Sequence, residues 1–391
     1  SGDVYAFPEG TIMYPNEPIL TVVAPLIDAQ IVETAILAEV NHQSLVATKT
    51  ARIVKAAEGK AVSDFGARRA HNMDAAVYGA RASYIGGAAG TATVLAGQMF
   101  GIPVSGTMAH SWVMYYKDEY EAFRHYAENY PDNTVLLVDT YDTIKSGIPN
   151  AIRVAREVLE PMGKRLKGIR IDSGDLAYQS IKVRKMLDDA GLTDCKIIVS
   201  NSLDEHTISS LNMQKARIDG YGVGERLITG ASSDYSEDSI SLLGAVYKIA
   251  AVEENGGFAP RIKVSGSVEK ITNPGLKKVY RVYDQNGKAK ADLIAKADET
   301  IDMSQEFRFV DPDMPWRNLK FTHCTVRPLQ EKIFENGKLV YKLPTLNEIR
   351  AYVKKQLDEE IWEEEQRFVN PHKHYMDMTP DYYDMKMSLL N

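Results

Sequence analysis

The segment Gly168-Ile169-Arg170-Ile171-Asp172-Ser173-Gly174-Asp175 starts as a short apolar strand and ends in a polar turn. An amphipathic run over residues 178–190 follows it. A strand, a polar turn and a helix in this order are typical of a parallel sheet, because a parallel crossover usually returns the chain through a helix. The segment therefore predicts an α/β fold for this part of the chain.

The same unit recurs on both sides of this segment. Strands are predicted over residues 61–64, 102–105, 134–139, 168–171, 196–200 and 218–222. Helices are predicted over residues 74–84, 93–99, 112–129, 148–159, 178–190 and 206–211. Six such units, each with polar residues just after the strand, favour an irregular TIM-like α/β barrel over an open doubly wound sheet.

Both ends of the chain have the pattern of β-structure. Apolar runs lie within residues 1–26, and they return at residues 246–253, 261–264, 278–283, 291–295, 321–329 and 338–343. A long helix over 27–57, with a break near His42-Gln43, is expected between the first β segment and the barrel. We predict a β-rich domain of residues 1–26 plus 243–345, a barrel of residues 27–242, and a C-terminal helix (346–367) with a tail to residue 391.

Composition restricts the class of protein. A chain of 391 residues with 25% charged and 44% hydrophobic residues is ordinary for a soluble enzyme. The formal net charge of −7 argues against a general nucleic-acid binder, which needs a positive surface. Cys195 and Cys324 are too few for a disulfide framework. Without an apolar run of membrane-span length or a signal-peptide pattern, we expect a cytoplasmic protein that does not bind membranes.

One histidine lies where a strand is predicted to pass into a helix. The run Val104-Ser-Gly-Thr-Met-Ala-His-Ser-Trp112 turns through small residues and places His110 at the helix start. Backbone N–H groups at a helix start favour anions, and an imidazole can accept a phosphoryl group or move a proton. Most single histidines are surface or packing residues, so His110 alone is a weak signal.

The residues just after the other predicted strands share a chemistry suited to anions. In a barrel they converge on one mouth. Arg68, Arg69 and Arg170 offer planar cations for carboxylate or phosphate. The acidic members are suited to Mg²⁺, ribose hydroxyls or a developing positive charge, and they are Asp139, Asp142, Asp172 and Asp175.

Glycines and one further aspartate complete this set of strand-end residues. Gly86 to Thr91 and Gly222 to Gly224 provide open backbone N–H groups for phosphate, although such glycines more often serve turns or packing. Asp204 has the pattern of a helix cap. The sequence therefore predicts a barrel mouth that binds a multiply phosphorylated, Mg²⁺-complexed ligand together with a small anion recognised by arginine.

An ordered set of short motifs resembles the nicotinate phosphoribosyltransferase family over nearly the whole chain. The motifs are Phe65-Gly-Ala-Arg-Arg69, Tyr84-Ile-Gly-Gly87, Gly90-Thr91 with Val94-Leu-Ala-Gly97, Gly106-Thr-Met-Ala-His-Ser111, Asp139-Thr-Tyr-Asp142, Ile169-Arg-Ile-Asp-Ser-Gly-Asp175, Gly222-Val-Gly224 and Ile271-Thr-Asn-Pro-Gly275. Each piece is short, but their order makes the set specific.

This resemblance implies a type II phosphoribosyltransferase of NAD biosynthesis. Its reaction would join nicotinate to 5-phosphoribosyl 1-diphosphate, with coupled ATP hydrolysis, to give nicotinate mononucleotide and diphosphate. The implied cofactor is Mg²⁺, and ATP is a co-substrate. The implied architecture is a barrel joined to a β-rich domain built from both chain ends, in a homodimer with active sites at the subunit interface.

The resemblance also implies roles for individual residues. His110 would be the histidine that ATP phosphorylates, Arg170 would meet the pyridine substrate, and Asp172 would stabilise the oxocarbenium-like ribosyl centre. The remaining positions would bind ribose and Mg-diphosphate (Asp139, Asp142), the 5-phosphate (Ser200, Asn201, Gly222, Gly224), the pyridine ring (Phe65) or other parts of the substrates (Arg68, Arg69, Thr107, Ser173). Family members usually carry an N-terminal segment that contributes an aromatic residue to the partner's site, and we expect such a segment upstream of this chain.

Other functions fit parts of the pattern. A nicotinamide or quinolinate phosphoribosyltransferase would share the layout, and quinolinate, with a second carboxylate, would call for more cations in the pocket. A sugar-phosphate aldolase or isomerase would place a lysine or glutamate at a strand end, for which Lys145 and Glu225 are only loosely suitable. A non-catalytic nucleotide sensor would keep the barrel without the chemistry.

Overall fold

The structure is a computed structural model that describes residues 1–231, 243–266, 271–303 and 306–390. The strands are β1 (Asp3–Ala6), β2 (Leu20–Val23), β3 (Ala61–Asp64), β4 (Gly90–Thr91), β5 (Val135–Leu137), β6 (Gly168–Ile171), β7 (Lys196–Ser200), β8 (Gly220–Val223), β9 (Ala251–Glu254), β10 (Gly257–Pro260), β11 (Lys277–Tyr283), β12 (Ala289–Lys296), β13 (Phe307–Val310), β14 (Asn318–Phe321), β15 (Thr325–Pro328), β16 (Glu331–Glu335), β17 (Lys338–Leu339) and β18 (Tyr375–Met378).

The α-helices are α1 (Leu26–Ile31), α2 (Glu33–Ala56), α3 (Met73–Ile85), α4 (Val94–Phe100), α5 (His110–Tyr115), α6 (Glu119–Asn129), α7 (Ile148–Val154), α8 (Leu176–Asp189), α9 (Glu205–Met213), α10 (Glu225–Thr229), α11 (Leu346–Lys355) and α12 (Pro380–Ser388). Short 3₁₀ turns lie at Ala67–Arg69 and Glu160–Met162, and π-helical turns lie at Thr143–Gly147, Ala155–Leu159 and Gln356–Glu360. The chain forms two compact units, Ser1–Glu39 with Ala245–Asn391, and Val40–Gly244.

The Val40–Gly244 unit is built on one parallel sheet with the strand order β4-β3-β8-β7-β6-β5. Its first strand, β3, pairs with its last, β8, and Thr91 of β4 forms a parallel bridge to Val104. This is the circular strand order of a barrel. Among the described residues no strand pairing joins Val104 to β5, so the sheet is curled and open at that point. The predicted α/β class is confirmed, and a complete TIM barrel is not.

The strands of this unit form because their apolar side chains are buried on both faces, as parallel sheets require. Leu136 and Leu137 are neighbours on β5 and point to opposite faces, and both are fully buried, as are Ile169 of β6 and Ile197 of β7. α8 covers the sheet with a buried stripe that includes Val183 and Leu187. Since the strands are parallel, the segments that follow them emerge at one edge, where the candidate site lies.

Three predictions of strand and helix bounds were wrong in detail. The strand predicted over 102–105 is reduced to a single bridge at Val104, and Gly90–Thr91, too short to give an apolar run, pairs as β4. The helix predicted over 112–129 is two helices, because the Asp118 side chain accepts the Glu121 N–H and starts α6 anew. The helix predicted over 27–57 breaks at Val32, between α1 and α2, and not near His42. A capping contact decided the second of these boundaries, and periodicity does not report such contacts.

The other unit contains a four-stranded sheet (β17-β16-β1-β2), a hairpin (β10-β9) and a six-stranded sheet (β14-β13-β18-β12-β11-β15). Both chain ends contribute strands to these sheets. Residues 375–378, which lie in the predicted C-terminal tail, form a strand that pairs in parallel with β12. The predicted helix over 346–367 stops at Glu360, where Ile361 turns extended. The strand predicted over 261–264 is not formed, and residues 257–260 pair with β9 instead.

A sealed ionic cluster lies in this unit. Arg281 of β11 donates two hydrogen bonds to Asp292 of β12, at 2.8 and 2.6 Å, and one to the Ile12 carbonyl. Glu17 lies near Arg281, and His374, stacked on the Tyr14 ring at 3.8 Å, lies 3.5 Å from Asp292. The charged members of this cluster come from three regions distant in sequence, and the side chains of Glu17, Arg281, Asp292 and His374 are at most 1% exposed. No helix in the described part of the chain is long and apolar enough to cross a membrane.

Candidate active site

Arg170 is the centre of the residues that follow the parallel strands. It lies on β6, one residue before the end of the strand, and its guanidinium donates to Ser200 Oγ at 2.8 Å and to Thr107 Oγ1 at 2.7 Å. Its Nη2 lies 3.1 Å from Asp172 Oδ1, and its side chain is 15% exposed. These contacts fix the guanidinium plane while part of it still faces the open edge of the sheet. A cation fixed in this way is suited to a planar anion such as a carboxylate.

Asp172 is held as a carboxylate. Ser200 Oγ donates a short hydrogen bond to its Oδ1, and Arg170 and His110 lie beside it. Burial alone would raise the pKa of Asp172, but the Ser200 hydrogen bond and the charge of Arg170 outweigh burial and lower it. The group is therefore ionised at neutral pH, as stabilisation of a developing positive charge requires.

Both ring nitrogens of His110 have polar neighbours. It is the first residue of α5, and its side chain is 40% exposed. Nδ1 lies 3.1 Å from Thr140 Oγ1, while Nε2 faces Asp172 Oδ2 at 3.5 Å and Asp139 Oδ1 at 3.9 Å. The predicted grouping of His110, Asp139, Arg170 and Asp172 is thus present in the fold.

Asp139 carries one satisfied and one unsatisfied oxygen. Its Oδ2 accepts the Asp172 N–H at 2.9 Å and the Ser173 hydroxyl at 2.6 Å. Its Oδ1 is buried and has no hydrogen-bond partner among the described residues. An unpaired buried carboxylate oxygen is costly in a fold, and Asp139 Oδ1 is free to accept a hydrogen bond or a cation.

Phe65 forms one wall beside Arg170. The guanidinium carbon of Arg170 lies 5.4 Å from the centre of the Phe65 ring. Asp64 fixes the turn that carries Phe65, because its Oδ1 accepts the Gly66 N–H at 2.8 Å and its Oδ2 accepts the Thr91 hydroxyl at 2.7 Å. Gly222 leaves room for the ring, since a Cβ there would lie 2.4 Å from Phe65 Cδ2. The structure thus gives Gly222 a packing role that the sequence did not indicate.

Several predicted residues stand apart from this cluster. Arg68 and Arg69 lie in an exposed 3₁₀ turn, and Arg69 makes a loose ion pair with Glu225 at 3.7 Å. Asp142 accepts the N–H groups of Ile144 and Lys145, which lowers its pKa. Its capping role is therefore observed, and its role toward ribose or Mg²⁺ stays a prediction.

Two more aspartates cap helices. Asp175 accepts the Tyr178 N–H at 2.9 Å at the start of α8. Asp204 accepts the Thr207 N–H at 2.8 Å at the start of α9, as its sequence pattern indicated.

The positions predicted to bind phosphate fall into two groups. A Cβ at Gly86 would lie 2.4 Å from the Ala47 carbonyl oxygen, and one at Gly90 would lie 2.5 Å from that of Pro103. These two positions serve close packing, so Gly86 to Thr91 is not an open phosphate cradle. Gly224 has only ordinary contacts beside it, and Asn201 has φ 93° in the turn after β7. These two positions leave the backbone after β7 and β8 accessible to a ligand.

Thr140 was not identified from the sequence. It lies inside the quoted motif Asp139-Thr-Tyr-Asp142, but a threonine next to two aspartates gives no signal of its own. Only the fold shows that it contacts His110. Among the described residues, no group of three or more His, Cys, Asp or Glu side chains could hold a metal ion.

A curled parallel sheet with an Arg, Asp and His cluster at its carboxyl edge defines the class of barrel-like α/β enzymes that handle anionic substrates. A sequence model described as the nicotinate phosphoribosyltransferase (NAPRTase) family matches residues 60–293. A second, described as the nicotinate phosphoribosyltransferase C-terminal domain, matches residues 276–386.

Similar proteins agree with these matches. Nicotinate phosphoribosyltransferase of Bacillus subtilis is 48% identical over 390 residues, which cover 99% of this chain and 77% of that protein. The crystal structure of human nicotinic acid phosphoribosyltransferase matches with a TM-score of 0.84 at 28% identity, covering 100% of this chain and 82% of that one. A nicotinate-nucleotide pyrophosphorylase structure from Pyrococcus furiosus matches with a TM-score of 0.66 at 30% identity, covering 92% and 81%. The chain belongs to the nicotinate phosphoribosyltransferase family.

Proposed function

We propose that this chain transfers the phosphoribosyl group of 5-phosphoribosyl 1-diphosphate to nicotinate, forming nicotinate mononucleotide and diphosphate. The observation that carries this proposal is the single fixed guanidinium of Arg170 between the Phe65 ring and the Asp172 carboxylate. A pyridine carboxylate needs one planar cation and one aromatic wall, and both are present. The ring nitrogen would then face the ribosyl carbon next to Asp172.

Bond making in this reaction develops positive charge on the sugar and negative charge on the departing diphosphate. Asp172, ionised and held by Ser200 and Arg170, would stabilise the sugar charge. Asp139 would help to position Asp172, since its Oδ2 accepts the Asp172 N–H and the Ser173 hydroxyl. These interactions are stronger in the transition state than in the ground state, which is the condition for catalysis.

The substrate phosphates would meet backbone donors more than side chains. The turn after β7, with Ser200 and Asn201, and the start of α10 at Gly224 are accessible at the same edge. We assign the 5-phosphate to this region. Thr107 accepts a hydrogen bond from Arg170 and helps to orient its guanidinium. The exposed Arg68 and Arg69 would bind the diphosphate of the substrate or the phosphates of ATP.

Mg²⁺ fits the site as an ion that arrives with the diphosphate. It commonly keeps several waters and takes only one or two protein carboxylates along with substrate phosphates. Asp139, with its unpaired Oδ1, and Asp142 are the side chains that would hold it, directly or through water. The ion would neutralise the leaving group when bound.

His110 is proposed as the residue that couples ATP hydrolysis to the transfer. Its half-exposed ring begins α5 at the site edge, beside two carboxylates. The γ-phosphoryl group of ATP would move to a ring nitrogen as ADP leaves, and water would later release inorganic phosphate. A phosphohistidine here would lie next to the residues proposed to meet the diphosphate.

A homodimer would cover the open side of the sheet. Large apolar side chains are exposed near the unpaired edge at Val104, on α4 and on α5, and they include Val94, Leu95, Met99, Met114 and Tyr115. Exposed apolar side chains of this size indicate a partner surface. We also propose a cytoplasmic location, consistent with two buried free cysteines.

The test is product formation by the full chain. Incubation with nicotinate, 5-phosphoribosyl 1-diphosphate, Mg²⁺ and ATP should yield the mononucleotide, and nicotinamide and quinolinate should turn over far more slowly. Equal turnover of quinolinate would instead support the dicarboxylate alternative. Absence of product from a chain that includes any upstream residues would reject the proposal. Schiff-base chemistry is disfavoured, because Lys145 is exposed and lies in a π-helical turn.

A further inference from the structure

The turn that follows Asp172 is held from two sides. On one side, Asp139 Oδ2 accepts the Asp172 N–H at 2.9 Å and the Ser173 hydroxyl at 2.6 Å. On the other side, Gln179 of α8 donates a hydrogen bond from Nε2 to the Ser173 carbonyl at 3.1 Å. The Gln179 backbone N–H donates to the Asp175 carbonyl at 2.9 Å, at the end of the same turn. Gln179 therefore joins α8 to the segment that carries Asp172.

Gly174 makes the conformation of this turn depend on its contacts. Its φ is 76°, in the left-handed region that glycine enters without strain. Glycine allows other backbone angles as well, so the Ser173–Gly174 peptide is free to rotate unless its carbonyl is held. The Gln179 amide holds that carbonyl, and its Nε2 occupies the space that a Cβ at Gly174 would need. Gln179 thus selects one orientation of the peptide.

The other end of the Gln179 amide argues against a role in packing alone. Its Oε1 is buried and has no hydrogen-bond partner among the described residues. Burial of an unpaired carbonyl oxygen costs free energy, and an apolar side chain of the same length would avoid that cost. A side chain that only filled this space would be better as methionine. The amide is explained if its N–H group is needed at the Ser173 carbonyl.

We propose that Gln179 is a positioning residue that holds the Ser173–Gly174 peptide and thereby keeps Asp172 and the Ser173 hydroxyl in place. The proposal deepens the proposed function and rests on it, because Asp172 is the group assigned there to the positive charge of the ribosyl centre. A carboxylate stabilises a developing charge best when it is already in position before the reaction. A turn that rotates would therefore lower kcat.

The kinetic test uses two variants that keep the length of the side chain. In Gln179→Met, kcat of the full chain should fall about 10-fold, as for the loss of one neutral hydrogen bond. The KM for nicotinate should stay within about 2-fold, because Arg170 is held by Ser200 and Thr107 and not by this turn. The denaturant midpoint should not fall, since the unpaired Oε1 is removed. Gln179→Glu, which places an acceptor against the Ser173 carbonyl, should lower kcat further.

Gln214→Met is the matched control. Gln214 also donates a side-chain hydrogen bond, to Ser210, but it lies at an exposed position after α9. This variant should leave kcat unchanged. A Gln179→Met variant that loses stability and keeps the wild-type kcat would overturn the proposal, because that is the result expected from packing alone.

A crystal structure of Gln179→Met separates this proposal from the proposed function. We expect the Ser173–Gly174 peptide to rotate and the hydrogen bond from Ser173 Oγ to Asp139 Oδ2 to be lost. A turn identical to that of the wild type would overturn the proposal. If the wild type forms no nicotinate mononucleotide, the proposed function fails, and the turn in the variant crystal still decides whether Gln179 holds it.

Discussion

Two arginine–aspartate pairs in this chain contain the same chemical groups but have different roles. One is buried inside the fold, and the other lies in the candidate active site. Arg281 and Asp292 are fully buried, and two hydrogen bonds join them directly. Arg170 and Asp172 are 15% and 22% exposed, and each also bonds to the hydroxyl of Ser200. The first pair is sealed by its surroundings, while the second leaves donors facing the open edge of a sheet.

The difference extends to the neighbours of each pair. In the sealed cluster, burial would lower the pKa of His374, but the hydrogen bonds and charges of Asp292 and Glu365 raise it. Burial also raises the pKa of Glu17 well above its usual value, which lets that carboxyl stay neutral beside Asp292. The charges there are matched within the fold. The open cluster differs in exposure, since Arg170 and Asp172 keep 15% and 22% of their side-chain surface accessible and a substrate can reach their charges.

The largest effect should come from breaking the open pair. Arg170→Gln keeps hydrogen-bonding capacity but removes the cation proposed to hold the nicotinate carboxylate. We expect kcat/KM for nicotinate to fall about 10³-fold, the scale for losing a preorganised charge in an active site. The free energy of unfolding should fall less than in Asp292→Asn, because the Arg170 and Asp172 side chains keep contact with solvent whereas Arg281 and Asp292 have none. Arg165→Gln, which removes a surface arginine paired with Asp194, is the control. If Arg170→Gln lowered the free energy of unfolding and left kcat/KM unchanged, Arg170 would have a structural role and not the proposed binding role.

Breaking the sealed pair should instead affect folding. Asp292→Asn leaves Arg281 and His374 buried without their shared counter-charge, which should cost about 3 kcal/mol of unfolding free energy. Denaturant unfolding measures this loss. Asp313→Asn, in an exposed pair with Lys373, should cost less than about 1 kcal/mol. If both variants unfold at the same denaturant concentration, the sealed pair does not stabilise the fold.

A buried carboxyl in the same unit predicts a pH dependence. Asp377 on β18 is fully buried, its oxygens have no hydrogen-bond partner among the described residues, and burial followed by the charge of Asp311 raises its pKa to about 7. A folded-state pKa above the unfolded value means that stability from this group is present at acid pH. It is lost as the pH rises toward 7.

Asp377→Asn should therefore gain about 1–2 kcal/mol of unfolding free energy over the wild type at pH 8, and less at pH 5. Unfolding curves at the two pH values test this. A larger gain at pH 5 than at pH 8 would give the wrong sign and exclude this role for Asp377.

The smallest effect concerns the wall of the open site. Gly222→Ala would push the Phe65 ring, since the new Cβ would lie 2.4 Å from it. We expect the KM for nicotinate to rise about 5-fold with a smaller change in kcat, because the ring is a binding surface. Gly220→Ala lies on the same strand and meets only ordinary contacts, so it should change neither constant. Equal constants for the two variants would remove Phe65 from the binding site.

The contrast between the clusters also explains what the sequence could predict. β3, β6 and β7 have the predicted bounds, because each is a buried apolar run followed by a polar turn. Most of the site residues could also be predicted, because residues that follow parallel strands lie at the same edge of the sheet. The Arg170 to Ser200 contact and the Thr140 to His110 contact join residues about 30 positions apart, and no local pattern reports them. The sealed cluster was missed entirely, because its members are distant in sequence and charged residues are ordinarily predicted to be exposed.

The most direct test of the proposed function is a crystal structure of the full chain with nicotinate and 5-phosphoribosyl 1-diphosphate. The account predicts the nicotinate carboxylate within hydrogen-bond distance of the Arg170 guanidinium, the pyridine ring against Phe65, and the ribosyl carbon beside Asp172. A nicotinate carboxylate bound elsewhere, with Arg170 on a substrate phosphate, would contradict it.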